Sequence, residues 1–347
     1  MTTSTVWILA DLATAGTLRF ALAGRGALTL EQQCSFSTEL FTTFSDALLS
    51  YARQTGVDLR NAGCVLSVPG PTTGSAIRVA RSSWTLSRAG LGGMLGKPII
   101  ILNDMVATAW SLPTGPATNI FPLGRASAPD FALPGRWTAL LLDDGVGAAT
   151  LTVAADGHIK VADTELGHTG FSPASADEFA LMQSLRGYHR AVSWEQILSR
   201  TYTTEVSGAG ALRWATLAGA FAGDALLATA AWSGIILCGS RAGTFRNTAA
   251  YTAFAARAAD RSVHGRFIEQ AQLSILVERQ PLKGCLAYLR SIENGATKDQ
   301  SSERLLNSAP MEKELPKPDR HFGSASVLAA RGWPADSAPT ARWPAAT

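Results

Sequence analysis

The stretch Pro98-Ile99-Ile100-Ile101-Leu102-Asn103-Asp104-Met105-Val106-Ala107-Thr108-Ala109-Trp110 decides the fold class. A short run of large apolar residues stops at a polar pair and continues into a segment with helical composition. An apolar run without alternation is what a strand buried on both faces carries. A buried strand feeding a helix is the repeating unit of α/β folds. Open α/β sheets bind ligands outside the carboxyl ends of their strands, which is where Asp104 falls, beside the amide of Asn103. A carboxylate held there suits removal of a proton from an alcohol. Asp is also a favoured helix N-cap, and this stretch alone leaves both readings open.

Upstream, Val6-Trp7-Ile8-Leu9-Ala10 reads as a strand, Asp11 to Thr17 as a turn of small residues, and Leu18 to Ala23 as a second strand. A third apolar segment follows near residues 27–30. Phe41 to Gln54 has helical periodicity, with Phe44, Leu48, Leu49 and Tyr51 as its apolar positions. Cys64 to Val68 is another strand, stopped by Pro69-Gly70-Pro71. A Pro-, Gly- and Ala-rich stretch at 112–135 marks the crossing between domains. The chain then repeats its opening: Trp137 to Leu142 is a strand, Asp143-Asp144-Gly145-Val146-Gly147 a turn, and Ala148 to Ala154 a second strand. Asp156-Gly157 signals a hairpin into a third. Helices are expected at 176–185, 194–199, 210–231 and 267–271, with strands at 234–238 and 273–277. Two strand–turn–strand openings in one chain indicate a duplication. The expected division is a smaller α/β domain at 1–112, a larger one at 113–294, and a disordered or loosely packed tail at 295–347.

Composition narrows the function. The chain has 347 residues, 46% hydrophobic and 16% charged, with a formal net charge of +3. That charge, without a Lys/Arg run, argues against a nucleic-acid partner. No apolar run is long enough to cross a membrane. The amino-terminal residues lack the basic segment of a signal peptide, so a cytoplasmic location is expected. Cys34, Cys64, Cys238 and Cys285 are scattered without a paired motif, which suggests neither a zinc site nor a disulfide framework.

At residue level the chain resembles the bacterial glucokinase family over roughly residues 5–290. The resemblance rests on Ile101-Leu102-Asn103-Asp104 with Ala107, on Pro71-Thr72-Thr73-Gly74 followed by Trp84-Thr85-Leu86-Ser87, on Glu165-Leu166-Gly167-His168 followed by Phe171-Ser172-Pro173, and on Trp194-Glu195-Gln196-Ile197-Leu198-Ser199. It implies two actin-like ATPase (ribonuclease H-like) domains around a central cleft, and a homodimer. It implies Asp104 as catalytic base, and Asn103, Glu165, His168 and Glu195 as hexose ligands. Carboxylates, an amide and an imidazole can bracket a ring of hydroxyls, each of which donates and accepts. The cofactors implied are ATP and Mg²⁺. Asp11, Gly16, Thr17, Gly145, Gly147 and Gly239 correspond to the nucleotide side, with Asp11 also serving the metal.

Nucleotide binding is where the chain departs from the family. The first phosphate loop loses its Gly-Gly pair: Asp11 and Arg19 are kept, but Leu12-Ala13-Thr14-Ala15-Gly16-Thr17-Leu18 lies between them. Glycines let backbone N–H groups approach phosphate without a Cβ in the way. In the second loop Asp144 replaces a Thr, and two like charges at ~4 Å repel by ~4 kcal/mol at an effective dielectric of 20. Leu198-Ser199-Arg200-Thr201-Tyr202 and Gly239-Ser240-Arg241 depart from the adenosine elements, Gln280-Pro281-Leu282-Lys283-Gly284 lacks a Gly, and Arg81 stands where an Asn is common. Two functions follow: a glucokinase-like enzyme that makes glucose 6-phosphate, or a non-catalytic hexose-binding pseudokinase with regulatory work.

Overall fold

In the computed structural model, strand and helix meet at Asn103-Asp104 as expected. The chain runs β1 (Val6–Ala13), β2 (Thr17–Gly24), β3 (Glu31–Ser37), α1 (Phe44–Thr55), β4 (Ala62–Val68), β5 (Ala76–Arg78), β6 (Thr85–Ser87), α2 (Arg88–Met94), β7 (Ile100–Asn103), α3 (Asp104–Ser111) and β8 (Ile120–Pro122). It continues through β9 (Gly135–Leu142), β10 (Val146–Val153), β11 (Ile159–Thr164), α4 (Ala176–Arg186), α5 (Trp194–Leu198), α6 (Gly208–Thr229), β12 (Gly234–Cys238), α7 (Thr248–Ala259), α8 (Gly265–Gln270), β13 (Gln272–Leu276) and α9 (Pro281–Ser308). The structure describes residues 6–13, 16–124, 127–187, 191–199 and 208–308, with backbone alone for 208, 209 and 295–308. Of the expected tail at 295–347, the part beyond 308 lies outside the described residues, as does Arg200; α9 carries the backbone to Ser308.

Residues Met1–Gln300 form one compact unit that contains two sheets. The first has the order β3-β2-β1-β4-β7, and the second β11-β10-β9-β12-β13-β8. Apart from the added antiparallel edge strand β8, the two orders are the same. Each opens with three antiparallel strands, and β4 and β7, or β12 and β13, are then added in parallel. The duplication read from the two strand–turn–strand openings is therefore present in the pairing.

The central strands β4 and β12 are mostly apolar in sequence. Every residue of β4 and of β12 is buried. The third strand of the first sheet is displaced from the segment expected at 27–30 to β3. This edge strand is mostly exposed, so its sequence carries polar residues and no apolar run. Helix α1 is bounded by a capping box of Thr43 and Asp46 and by Gly56 in the left-handed region.

Helix α3 lies between the sheets. Met105, Ala109 and Leu112 pack with Trp137, Ala139, Leu141 and Ile236 of the second sheet. Ala107 packs with Leu9, Ala21 and Val65 of the first, together with Leu282, Cys285 and Leu289 of α9. A helix covered on both sides needs apolar residues all round, which explains its sequence. The cysteines are free; burial pushes the thiols of Cys64 and Cys238 up to about 12, so they are inert packing groups. Among the described residues no helix is long and apolar enough to cross a membrane.

Candidate functional site

The two readings of the polar pair separate in the structure. Asn103 is the cap: its Oδ1 accepts from the main-chain N–H groups of Met105 (2.8 Å) and Val106 (3.3 Å). Its Nδ2 donates to the carbonyl of Gly70 (3.1 Å), which ties β7 to the Pro69-Gly70-Pro71 loop. Asp104 is thereby released from capping and stands in the first turn of α3, 8% exposed. Its carboxylate meets Arg279, from the segment between β13 and α9. The guanidinium donates from Nη2 to Asp104 Oδ2 (2.6 Å) and to the Asp104 carbonyl (3.3 Å), and from Nε to Thr108 Oγ1 (3.0 Å).

Asp11, near the carboxyl end of β1, is 2% exposed. Its Oδ1 accepts from Ser67 of β4 (2.9 Å) and its Oδ2 from Arg19 of β2 (3.1 Å). Burial pushes the carboxyl above its ordinary value, while the Arg279 charge, the Ser67 hydroxyl and the Arg19 charge pull the other way.

Asn103, Asp104, Glu165, His168 and Glu195 line a single cavity of about 280 Å³, together with Arg81, Gly145 and Gly147. That size suits a single-ring ligand. Three of these side chains touch one another: His168 Nε2 lies 3.7 Å from Glu165 Oε2 and 3.8 Å from Glu195 Oε2. Backbone bonds make this happen. The N–H of Trp194 donates to the Thr169 carbonyl, and that of Phe171 to the Val192 carbonyl, which fixes the Glu165–His168 turn against the start of α5. Glu195 is further held by the N–H of Val146 (3.4 Å).

A neighbouring cleft of about 350 Å³ is lined by Asp11, Arg19, Asp104, Asp143, Gly239, Ser240 and Arg279. The predicted nucleotide residues do not share one cavity. Asp11 and Gly239 line this cleft, Gly145 and Gly147 line the smaller cavity, and Gly16 lines a third. Thr17 begins β2, with its main chain paired to Ser37. Gly239 does require glycine: its φ is +96°, and a Cβ there would lie 2.6 Å from the Leu142 carbonyl oxygen. In the second loop Asp143, rather than Asp144, faces both cavities. Asp143 also accepts from the Ser240 hydroxyl (2.8 Å) and main-chain N–H (3.2 Å), which joins the ends of β9 and β12. Arg241 is buried, donates to the Leu198 carbonyl and lies over the Trp214 ring, as a structural clamp.

Two arginines enter the site without a motif to announce them. Arg81, at a left-handed φ of 59°, donates to the Asp144 carbonyl and lies 3.7 Å from Glu195 Oε1. In sequence it is only a departure from an expected Asn. Arg279 has no motif at all, and the one available signal is its place at the carboxyl end of a buried strand.

Among the described residues no group of three or more His, Cys, Asp or Glu side chains is placed to hold a metal by itself. Mg²⁺ does not need one, because it keeps several waters and takes one or two carboxylates beside substrate phosphates. Asp11, a carboxylate buried in a cleft, fits that role.

The glucokinase family model matches residues 8–201. A glucokinase of Nitrobacter hamburgensis is 31% identical over 182 residues, which cover 52% of this chain and 55% of that protein. The chain thus spans about half the length of that relative. A glucokinase of Xanthomonas campestris pv. campestris is 24% identical over 320 residues, covering 81% of this chain and 94% of that one. Among solved structures, a glucokinase from an Antarctic psychrotroph aligns with a TM-score of 0.65 at 19% identity, over 82% of this chain and 98% of the other. The glucose complex of a Balamuthia mandrillaris glucokinase aligns with a TM-score of 0.65 at 17% identity, over 83% and 94%. These structural likenesses establish the fold, which is the actin-like ATPase fold with its duplicated sheets.

Proposed function

We propose that this chain, which belongs to the glucokinase family, transfers the γ-phosphoryl group of ATP to the 6-hydroxyl of glucose, with Asp104 as general base. One observation carries the reading: Asp104 lines both the cavity that holds Asn103, Glu165, His168 and Glu195 and the cleft that holds Asp11, Arg19 and Gly239. A base for phosphoryl transfer must stand where the acceptor hydroxyl and the donor phosphate meet.

In the proposed reaction the hexose lies in the smaller cavity. Glu165, His168 and Glu195 engage its ring hydroxyls, and the remaining N–H of the Asn103 amide donates to one of them. The 6-hydroxyl points at Asp104. Its proton passes to the carboxylate as the oxygen forms a bond to the γ-phosphorus, and the bond from that phosphorus to the bridging oxygen breaks, leaving its electron pair on ADP. Asp11 would hold a Mg²⁺ ion directly or through water, and the ion would supply neutralisation of the donor's phosphate charge. Phosphoryl transfer asks the protein for position and electrostatics more than for covalent chemistry.

A second reading has its own support. Asp143 brings a carboxylate into the cleft, and the first loop lacks its Gly pair, so a hexose-binding protein without turnover also fits the chain. Purified protein incubated with glucose and Mg·ATP, followed by ³¹P NMR, separates the two. The enzyme gives glucose 6-phosphate and ADP. Calorimetric glucose binding with no phosphorylated sugar supports the second reading, and neither binding nor product removes both.

A further inference from the structure

Arg279 is the unexplained cation of the site. It is 175 positions from Asp104 in sequence, yet its Nη2 reaches Oδ2 of that carboxylate at 2.6 Å. The pair is mostly buried, with 22% and 11% of the two side chains exposed. The bonds to Asp104 and Thr108 use Nε and Nη2, and Nη1 makes no hydrogen bond to a described residue. The same side chain lines the cleft with Asp11, Arg19 and Gly239. The guanidinium therefore uses its Nε–Nη2 edge on Asp104 and Thr108, and the residue also lines the space assigned to the donor phosphates.

We propose that Arg279 is a catalytic residue: it keeps Oδ2 of Asp104 engaged, so that Oδ1 takes the hexose proton, and its other edge binds the phosphoryl group in transit. This rests on the kinase reading of the site. In the transfer the O6–P bond forms, the bond to the bridging oxygen of ADP breaks, and the hydroxyl proton ends on Oδ1. Arg279 keeps all its protons throughout. Burial disfavours its charge, but the adjoining Asp104 outweighs that and holds the guanidinium above its ordinary value. A planar fork with two usable edges suits a carboxylate on one side and phosphoryl oxygens on the other, whereas the ammonium of lysine offers a point charge.

The surroundings explain why this chain has use for it. The first loop has lost the glycines that present N–H groups to phosphate, and Asp143 adds a negative charge to the cleft. A fixed cation aimed at the phosphoryl oxygens offsets both, and it acts where charge spreads over those oxygens in the transition state.

The test compares wild type with Arg279→Gln, Arg279→Lys and Arg279→Ala. Each is checked for folding by its thermal midpoint and for glucose affinity by calorimetry. The expected result is a fall in kcat of about 10³ for Arg279→Gln, in the range seen when an arginine leaves a phosphoryl-transfer site. Glucose affinity stays unchanged, Arg279→Lys recovers part of the rate, and guanidinium chloride at millimolar concentration partly restores Arg279→Ala. A purely structural arginine gives no such rescue. A kcat for Arg279→Gln equal to that of wild type overturns the proposal. If wild type itself makes no glucose 6-phosphate, the kinase reading fails separately, and Mg·ATP titration then reads Arg279 alone. Weaker binding by Arg279→Gln supports its contact with phosphate. Equal binding, or none by wild type, overturns it.

Discussion

Asp11 shows most directly what the proposed site costs the fold. A carboxylate 2% exposed, with burial pushing its carboxyl up, is a poor choice for stability alone. The folded state holds the Asp11 proton more tightly than the unfolded chain does. Its contribution therefore favours folding below the ordinary value of 3.8 and is lost as pH rises through the raised value. Asp11→Asn removes that loss. Thermal unfolding across pH should show the variant gaining on wild type as pH rises above 3.8 and holding a constant advantage at neutral pH, while phosphoryl transfer falls. An advantage that instead grows toward acid contradicts the account. At this scale the sequence was partly legible. Asn103 and Asp104 stood out because a polar pair ends an apolar run, but which of the two caps the helix depended on backbone geometry. Arg279 was illegible: one arginine before Gln280-Pro281 has no local pattern, and its partner lies 175 positions away.

Helix α3 is the element that positions Asp104, the proposed base, and α9 holds it from one side. Gly284 of α9 lies against the main chain of α3 so closely that a Cβ there would fall 1.6 Å from the Ala107 carbonyl oxygen. No side-chain rotation relieves a clash with backbone. Gly284→Ala should therefore cost about 3 kcal/mol of stability by forcing the helices apart. It should also lower turnover more than glucose binding, because the displaced α3 carries Asp104. Denaturant unfolding and steady-state kinetics measure the two effects, and a variant as stable as wild type contradicts this packing. Elements were legible where burial imposes a pattern. Strand β12 has the bounds expected for it, because every one of its residues is buried. Edge strand β3, with polar and exposed positions, was displaced in the reading, and the three-residue strands β5 and β6 were missed. Helix α7, which is mostly Ala, gave no polar face to mark it.

The whole molecule places the carboxyl ends of two duplicated sheets around one site. Asp11 lies near the end of β1, while Asp104, Asp143 and Gly239 directly follow β7, β9 and β12. The duplication was legible because both halves open with the same strand–turn–strand pattern. The way two cavities share Asp104 was not, since it depends on α3 packing between the sheets. The proposed base stands at that shared position, and Asp104→Asn is the substitution that isolates it, because it keeps the shape of the side chain and one acceptor for Arg279 but removes the carboxylate. Phosphoryl transfer from Mg·ATP to glucose and calorimetric glucose affinity are measured on the same preparations of variant and wild type. The account predicts a kcat lower by about 10²–10⁴, with glucose affinity changed by less than about threefold. A variant that phosphorylates glucose at the wild-type rate contradicts it.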